Sequence, residues 1–231
     1  MTNTMNQLDD SVTTIIEPSK KQSRKKFLIN AGRFSLLSVV AVSACKKSSS
    51  NGGLDLGSGD VGILNYAYAL EQLEAAFYIK VMASPYSSMP AAEASYLTDI
   101  RDHEVAHREF FKAALGSNAI SALEVNFSTI DFTSRTSVLA TAKAFEDLGV
   151  TAYNGAGQLL QDAGYLTLAG KIVSVEARHA ALIRDLITPG SFADSTAVDG
   201  NALDMARTPP QVLAIAGAYI TTQIDASHLP S

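Results

Sequence analysis

The chain has 231 residues, 47% hydrophobic and 18% charged, which is enough apolar material for one substantial core. Its formal net charge is −5, which suggests neither a basic nucleic-acid face nor a polyanion-binding surface. With so few charges, any carboxylate inside an apolar stripe is informative.

Near the N-terminus, Lys20, Lys21, Arg24, Lys25 and Lys26 precede an apolar run from Phe34 to Ala44 that is broken only by serines. A bilayer span needs ~20 apolar residues; this shorter run reads as the core of an export signal over residues 1–44, cleaved on maturation. It ends in Val42-Ser43-Ala44-Cys45, which resembles the lipobox of bacterial lipoproteins. The resemblance implies that Cys45 is lipidated and becomes the mature N-terminus. Cys45 is the only cysteine, so no disulfide forms within the chain; the plain alternative is a buried free thiol. Ser23-Arg24-Lys25-Lys26-Phe27-Leu28 resembles a twin-arginine signal with Lys25 in place of the second arginine, which leaves general and twin-arginine export both open. Residues 1–44 hold six basic and three acidic residues, so their removal takes the chain from −5 to −8. Residues 45–59, rich in Ser and Gly, read as a lipidated flexible tether.

From Asp60 the chain reads as all-α. Asp60 is placed to cap a first helix to about Met82, with Leu64, Ala67, Tyr68, Glu71, Ala75, Tyr78 and Met82 on one face. Pro90 suits the first turn of a second helix to about Leu115, whose stripe holds Leu97, Ile100, Glu104, His107, Phe111 and Leu115. Thr133 or Ser134 caps a third, with Leu139, Ala142, Glu146, Val150, Tyr153 and Leu160 in line. Gly164 breaks the chain, and a fourth helix carries Ile172, Val173, Glu176, His179, Ile183 and Leu186. Thr208 and Pro209 open a shorter fifth helix within a C-terminal extension, residues 189–231. No sheet is expected.

Glu71, Glu104, Glu146 and Glu176 each sit mid-helix in an apolar stripe. One such glutamate is ordinarily a solvated edge. Four, one per helix, would cost several kcal/mol each if buried unpaired, against a net domain stability of about 5–15 kcal/mol. Two divalent cations would balance them. Two of the four histidines follow these glutamates at i+3, as Glu104/His107 and Glu176/His179, which puts each pair on one helix face. The chain also repeats itself. "LEQLEAAFY" and "FEDLGVTAY" align Glu71, Leu73 and Tyr78 with Glu146, Leu148 and Tyr153. Each half is a helical hairpin with Glu on its first helix and Glu-x-x-His on its second.

The pattern Glu71, Glu104-x-x-His107, Glu146, Glu176-x-x-His179 resembles the ferritin-like di-metal carboxylate bundles. "LEQLEAAFY", "GVTAYNGAG" and "VEARHAAL" are most similar to the ferritin-like-domain family that includes plant desiccation-related proteins. The resemblance implies a four-helix bundle over residues 60–188, two hairpins joined by a long crossover. It implies that Glu104 and Glu176 bridge two metals, that Glu71 and Glu146 are terminal carboxylates, and that His107 and His179 bind one metal each. Residues 117–133 supply the crossover. Seventeen extended residues reach ~56 Å, more than the ~36 Å of a 24-residue helix.

"HEVAH", His103 to His107, also fits the His-Glu-x-x-His of a zinc protease. That reading leaves Glu71, Glu146, Glu176 and His179 buried without a role, so the di-metal reading is preferred and His103 is expected to be incidental. Oxygen-rich and imidazole ligands suit iron or manganese. Two such ions point to an oxidoreductase, ferroxidase-, peroxidase- or catalase-like, acting on peroxide or dioxygen in oxidative-stress defence. The second reading is a non-catalytic metal-binding or desiccation-protective protein; iron storage would need a closed cage. Tyr78 and Tyr153 are either core tyrosines or partners of the glutamates. Glu74, one turn from Glu71 and matched in the repeat by Gly149, is either an extra ligand, an outer-shell residue or a surface residue. The expected location is the cell envelope, facing the periplasm or the exterior, with the chain held to the membrane by a lipid anchor on Cys45. Cys45→Ser should therefore abolish lipid labelling and release the protein from the membrane fraction; an unlipidated, soluble wild-type protein would contradict this.

Overall fold

The computed structural model describes residues 52–230, so the expectations for residues 1–44 and Cys45 lie outside the described residues. Four long helices form the body: α1 (Gly59–Ala83), α2 (Ala91–Leu115), α3 (Arg135–Gly157) and α4 (Ala163–Ile187). A short α5 (Pro209–Ala216) follows, and two two-residue strands, β1 (Leu54–Asp55) and β2 (Ile224–Asp225), pair in parallel. The fold is a ferritin-like helical bundle with a short C-terminal helix; the apolar spacing predicts the helices, and the resemblance to the ferritin-like bundles predicts their arrangement.

Capping explains where the helices start. Ser134 accepts from the Ser137 amide at the head of α3, and Asp162 accepts from Gly164 and Tyr165 at the head of α4. Gly164 thus lies inside the first turn of α4; the break is the segment just before Asp162. Asp60 does not cap α1, whose N-cap is Ser58. Its carboxylate accepts instead from the amides of Gln161 and Asp162, at 2.8 and 2.9 Å, and ties the start of α1 to that of α4. Pro209 occupies the first turn of α5, and the Gln211 side chain accepts from the Thr208 amide at 2.9 Å.

Two other expectations are corrected. Residues 54–56 belong to the fold rather than to a flexible tether: β1 pairs with β2 and Leu56 is fully buried. This pairing is also a small sheet where none was expected; it spans residues too far apart in sequence for any local pattern to reveal. Nor does α1 bury a single stripe. It is apolar nearly all round and buried on all sides, because the crossover and the C-terminal extension cover the face that α2 and α3 leave.

The crossover would bury unpaired backbone if nothing met it. Asn65 of α1 donates to the carbonyls of Leu56 and Asn118 and accepts from the Ile120 amide. Gln72, two turns on, accepts from the Leu123 amide at 2.9 Å. At the far end of the bundle Arg135 joins three helices, pairing with Glu93 of α2 and donating to the Leu186 carbonyl of α4. The extension is fixed by Arg184, which grips Asp147 through two nitrogens and also reaches Asp194 and Thr196.

Arg207 of the extension lies directly on α3: its amide donates to the Thr151 carbonyl and its side chain to the Thr151 hydroxyl. Gly155 permits that approach, because a Cβ there would collide with the Arg207 carbonyl. Gly155→Ala should cost about 1–3 kcal/mol in chemical denaturation, as overpacking does. Gly157→Ala, whose added carbon would meet only Leu166 at an ordinary 3.6 Å, should be close to neutral.

Candidate metal centre

The middle of the bundle holds the six residues singled out by spacing. Glu71 comes from α1, Glu104 and His107 from α2, Glu146 from α3, and Glu176 and His179 from α4. All four glutamates are 0% exposed, and His107 and His179 are largely buried. Two groups that could each hold a metal ion result: Glu71, Glu104, His107 and Glu176, and Glu104, Glu146, Glu176 and His179. Within each, one ligand atom per residue lies within 4.8 Å of the others. Glu104 and Glu176 belong to both.

The distances repeat about a twofold. His107 Nδ1 lies 2.8 Å from Glu176, 3.5 Å from Glu71 and 3.7 Å from Glu104. His179 Nδ1 lies 2.9 Å from Glu104, 3.4 Å from Glu146 and 3.6 Å from Glu176. Each hairpin's histidine therefore sits nearest the Glu-x-x-His glutamate of the other hairpin. Tyr78 donates to Glu146 and Tyr153 to Glu71, both at 2.5 Å. These tyrosines are not neutral core filler; each reaches across to the opposite hairpin.

The atoms left over show what the cluster can hold. Glu71 Oε2, Glu146 Oε2, both oxygens of Glu104 and Glu176, and Nδ1 of both histidines are buried without a hydrogen-bond partner. The short N···O separations lack the alignment a hydrogen bond needs. Native proteins leave few buried polar atoms unsatisfied, yet eight converge in one place here. Lone pairs on carboxylate oxygens and imidazole nitrogens directed at a common space are the donor set of a metal site, and the residues fit divalent ions.

Electrostatics agree. Burial, followed by repulsion from Glu176, holds the Glu104 carboxyl well above the usual range. Burial likewise raises Glu146, to about 7. At both histidines burial works against the charge, but the facing carboxylates prevail: His179 is pushed up to about 12 and His107 also rises steeply. Glu176 is buried too, yet its contacts with both histidines bring it down to about 2. Without a cation, the cluster satisfies its negative charge with protons.

Two further residues join the cluster. Glu74 is buried, 4% exposed, with a carboxylate oxygen 3.1 Å from where a Cβ of Gly149 would stand. Burial, then repulsion from Glu104, Glu176, Glu71 and Glu146, raises its carboxyl well above the usual range. The surface reading of Glu74 is thereby excluded. Its signal in the sequence is the Glu74–Gly149 mismatch in the repeat, since the missing side chain on α3 makes room for the carboxylate on α1. His103 is not incidental either. Its Nδ1 lies 2.9 Å from His179 Nε2, with the two ring planes nearly parallel. This contact leaves His179 Nδ1 facing the cluster, the orienting role that outer-shell partners play. No local pattern reveals it, because it depends on α2 and α4 facing each other. Neither group includes His103, so the zinc-protease arrangement is not assembled among the described residues.

Residues 59–189 match the sequence model of the family described as the ferritin-like domain. The chain belongs to the ferritin-like domain family. Comparison with curated proteins gives no match. In this ferritin-like bundle, metal uptake must free both histidine nitrogens and ionise the raised carboxyls. Adding Mn(II) or Fe(II) to the metal-free protein should therefore release protons, and apparent affinity should fall as pH falls. Calorimetry in buffers of different ionisation enthalpy counts those protons; uptake without release would contradict the protonated cluster.

Proposed function

We propose that this ferritin-like protein binds two iron or manganese ions in its bundle core. There it carries out redox chemistry on dioxygen or peroxide, in oxidative-stress defence at the cell envelope. The observation that carries this reading is the convergence of eight unsatisfied buried oxygen and nitrogen atoms between two equivalent hairpins. Bound metals would supply electrons and Lewis acidity to a small oxidant.

The chain's own groups divide the remaining work. Glu104 and Glu176, common to both ligand sets, are assigned as bridges. Glu71 and Glu146 are assigned as terminal carboxylates, each oriented by a tyrosine hydroxyl on its other oxygen. His107 and His179 would each hold one ion, and His103 fixes the ring of His179. Glu74, whose carboxyl burial keeps above the usual range, stores a proton beside the centre. A cluster of Phe77, Phe127, Phe132 and Phe145 closes one end of the site against water. The anchor is assigned to Cys45 on the strength of Val42-Ser43-Ala44-Cys45. No helix among the described residues is long and apolar enough to cross a membrane.

Protein purified from its native envelope should carry about two transition-metal ions per chain and consume dioxygen or peroxide in steady state. Glu104→Ala and Glu176→Ala should each lower metal content and abolish turnover, whereas the fold persists by circular dichroism. Full metal content in both variants would refute the bridging assignment. Metal-loaded protein that consumes neither oxidant would make the metals structural.

A further inference from the structure

The two hairpins repeat, but their cores do not. Aligning Glu71 with Glu146 sets Phe77 opposite Ala152 and Val81 opposite Ala156. Aligning Glu104 with Glu176 sets Leu97 opposite Ala169 and Leu186 opposite Ala114. Beyond Tyr78 the large residues fill the bundle: the Phe77 ring packs 5.0 Å from Tyr78 and 5.1 Å from Phe145. Beyond Tyr153, where the small partners stand, a cavity of about 30 Å3 remains. Its inner wall is Ala67, Phe111, Ala152, Tyr153 and Ile172.

That wall lies against the cluster. Ala67 and Ile172 precede Glu71 and Glu176 by one turn, and Phe111 follows His107 by one turn, an axial offset of ~6 Å. Tyr153 touches both, lining the cavity while its hydroxyl donates to Glu71. The outer wall reaches the surface at Ala114 of α2 and Leu168 of α4.

Size and polarity select the occupant. Buried waters make about two to four hydrogen bonds; here the Tyr66 hydroxyl is the one buried lining group without a partner, too few to hold a water. Peroxide, with two hydroxyls to satisfy, is disfavoured for the same reason. A benzene-sized guest needs about 150 Å3, so rings and acyl chains do not fit. An apolar diatomic does. We propose that this cavity is a dioxygen-binding pocket that delivers the gas to the cluster from the Tyr153 side. The proposal rests on the redox reading above and makes dioxygen, rather than peroxide, the oxidant that the core is shaped to admit.

Xenon tests the pocket without reference to metal. The full chain, metal-free and metal-loaded, should bind one xenon atom beside Ala152 under gas pressure, seen in crystals or by 129Xe NMR. Ala152→Phe restores the residue of the other half and should abolish that binding; Ala156→Val, a smaller filling, should weaken it if the larger change prevents folding. In metal-loaded protein the filled variant should react several-fold more slowly with dioxygen and unchanged with peroxide. No xenon in the wild-type cavity, xenon retained in a folded Ala152→Phe protein, or equal slowing with both oxidants would overturn the proposal. Xenon bound to a chain that takes up no metal would overturn the redox reading, not the pocket.

Discussion

Negative charge buried at the middle of the bundle is the constraint on which the rest of the structure depends. Five carboxylates, Glu71, Glu74, Glu104, Glu146 and Glu176, lie inside an otherwise apolar core with two histidines among them. Such a group of acids is tolerable only where each charge is neutralised by a proton or a cation. The structure supplies the neutral partners first. Tyr78 donates to one oxygen of Glu146 and Tyr153 to one oxygen of Glu71, which leaves the remaining lone pairs directed inward. Because each tyrosine belongs to the hairpin opposite its glutamate, the same contacts that orient the cluster also hold the halves together.

Holding those helices in place requires more than four helical stripes. α1 passes through the interior and is enclosed by the crossover and the extension as well as by the other helices. Its two buried amides, Asn65 and Gln72, meet the backbone of the crossover, which would otherwise cross an apolar surface with its polar groups unmet. Arg184, 2% exposed and paired with Asp147 and Asp194, does the corresponding work for the extension. The segments outside the four long helices are therefore part of what keeps water from the cluster.

Duplication supplies the symmetry, and departures from it supply the differences between the two sides. Glu74 occupies space that Gly149 leaves, so one side of the cluster carries an extra carboxylate. Ala152 leaves space that Phe77 fills on the other side, so one end of the core is open and the other closed by aromatic rings. Both departures lie within the aligned nine-residue segments, which bring substitution and consequence within a turn or two of the glutamates.

Helix periodicity and the i+3 spacing of Glu104/His107 and Glu176/His179 determined the fold class and identified six residues that meet in the core, because a helix fixes locally which side chains share a face. The repeat marked Glu74 and both tyrosines as candidates and left their roles open. Only the tertiary structure decided those roles, since they depend on how one hairpin lies on the other. Tyr78 finds Glu146 across 68 positions, and His103 finds His179 across 76. The pairing of β1 with β2, the burial of Leu56 and the bond from Asp60 to the head of α4 were likewise illegible in sequence. Spacing along a helix records neighbours within a few turns; contacts between distant segments are set by how complementary surfaces pack, and no short pattern encodes that.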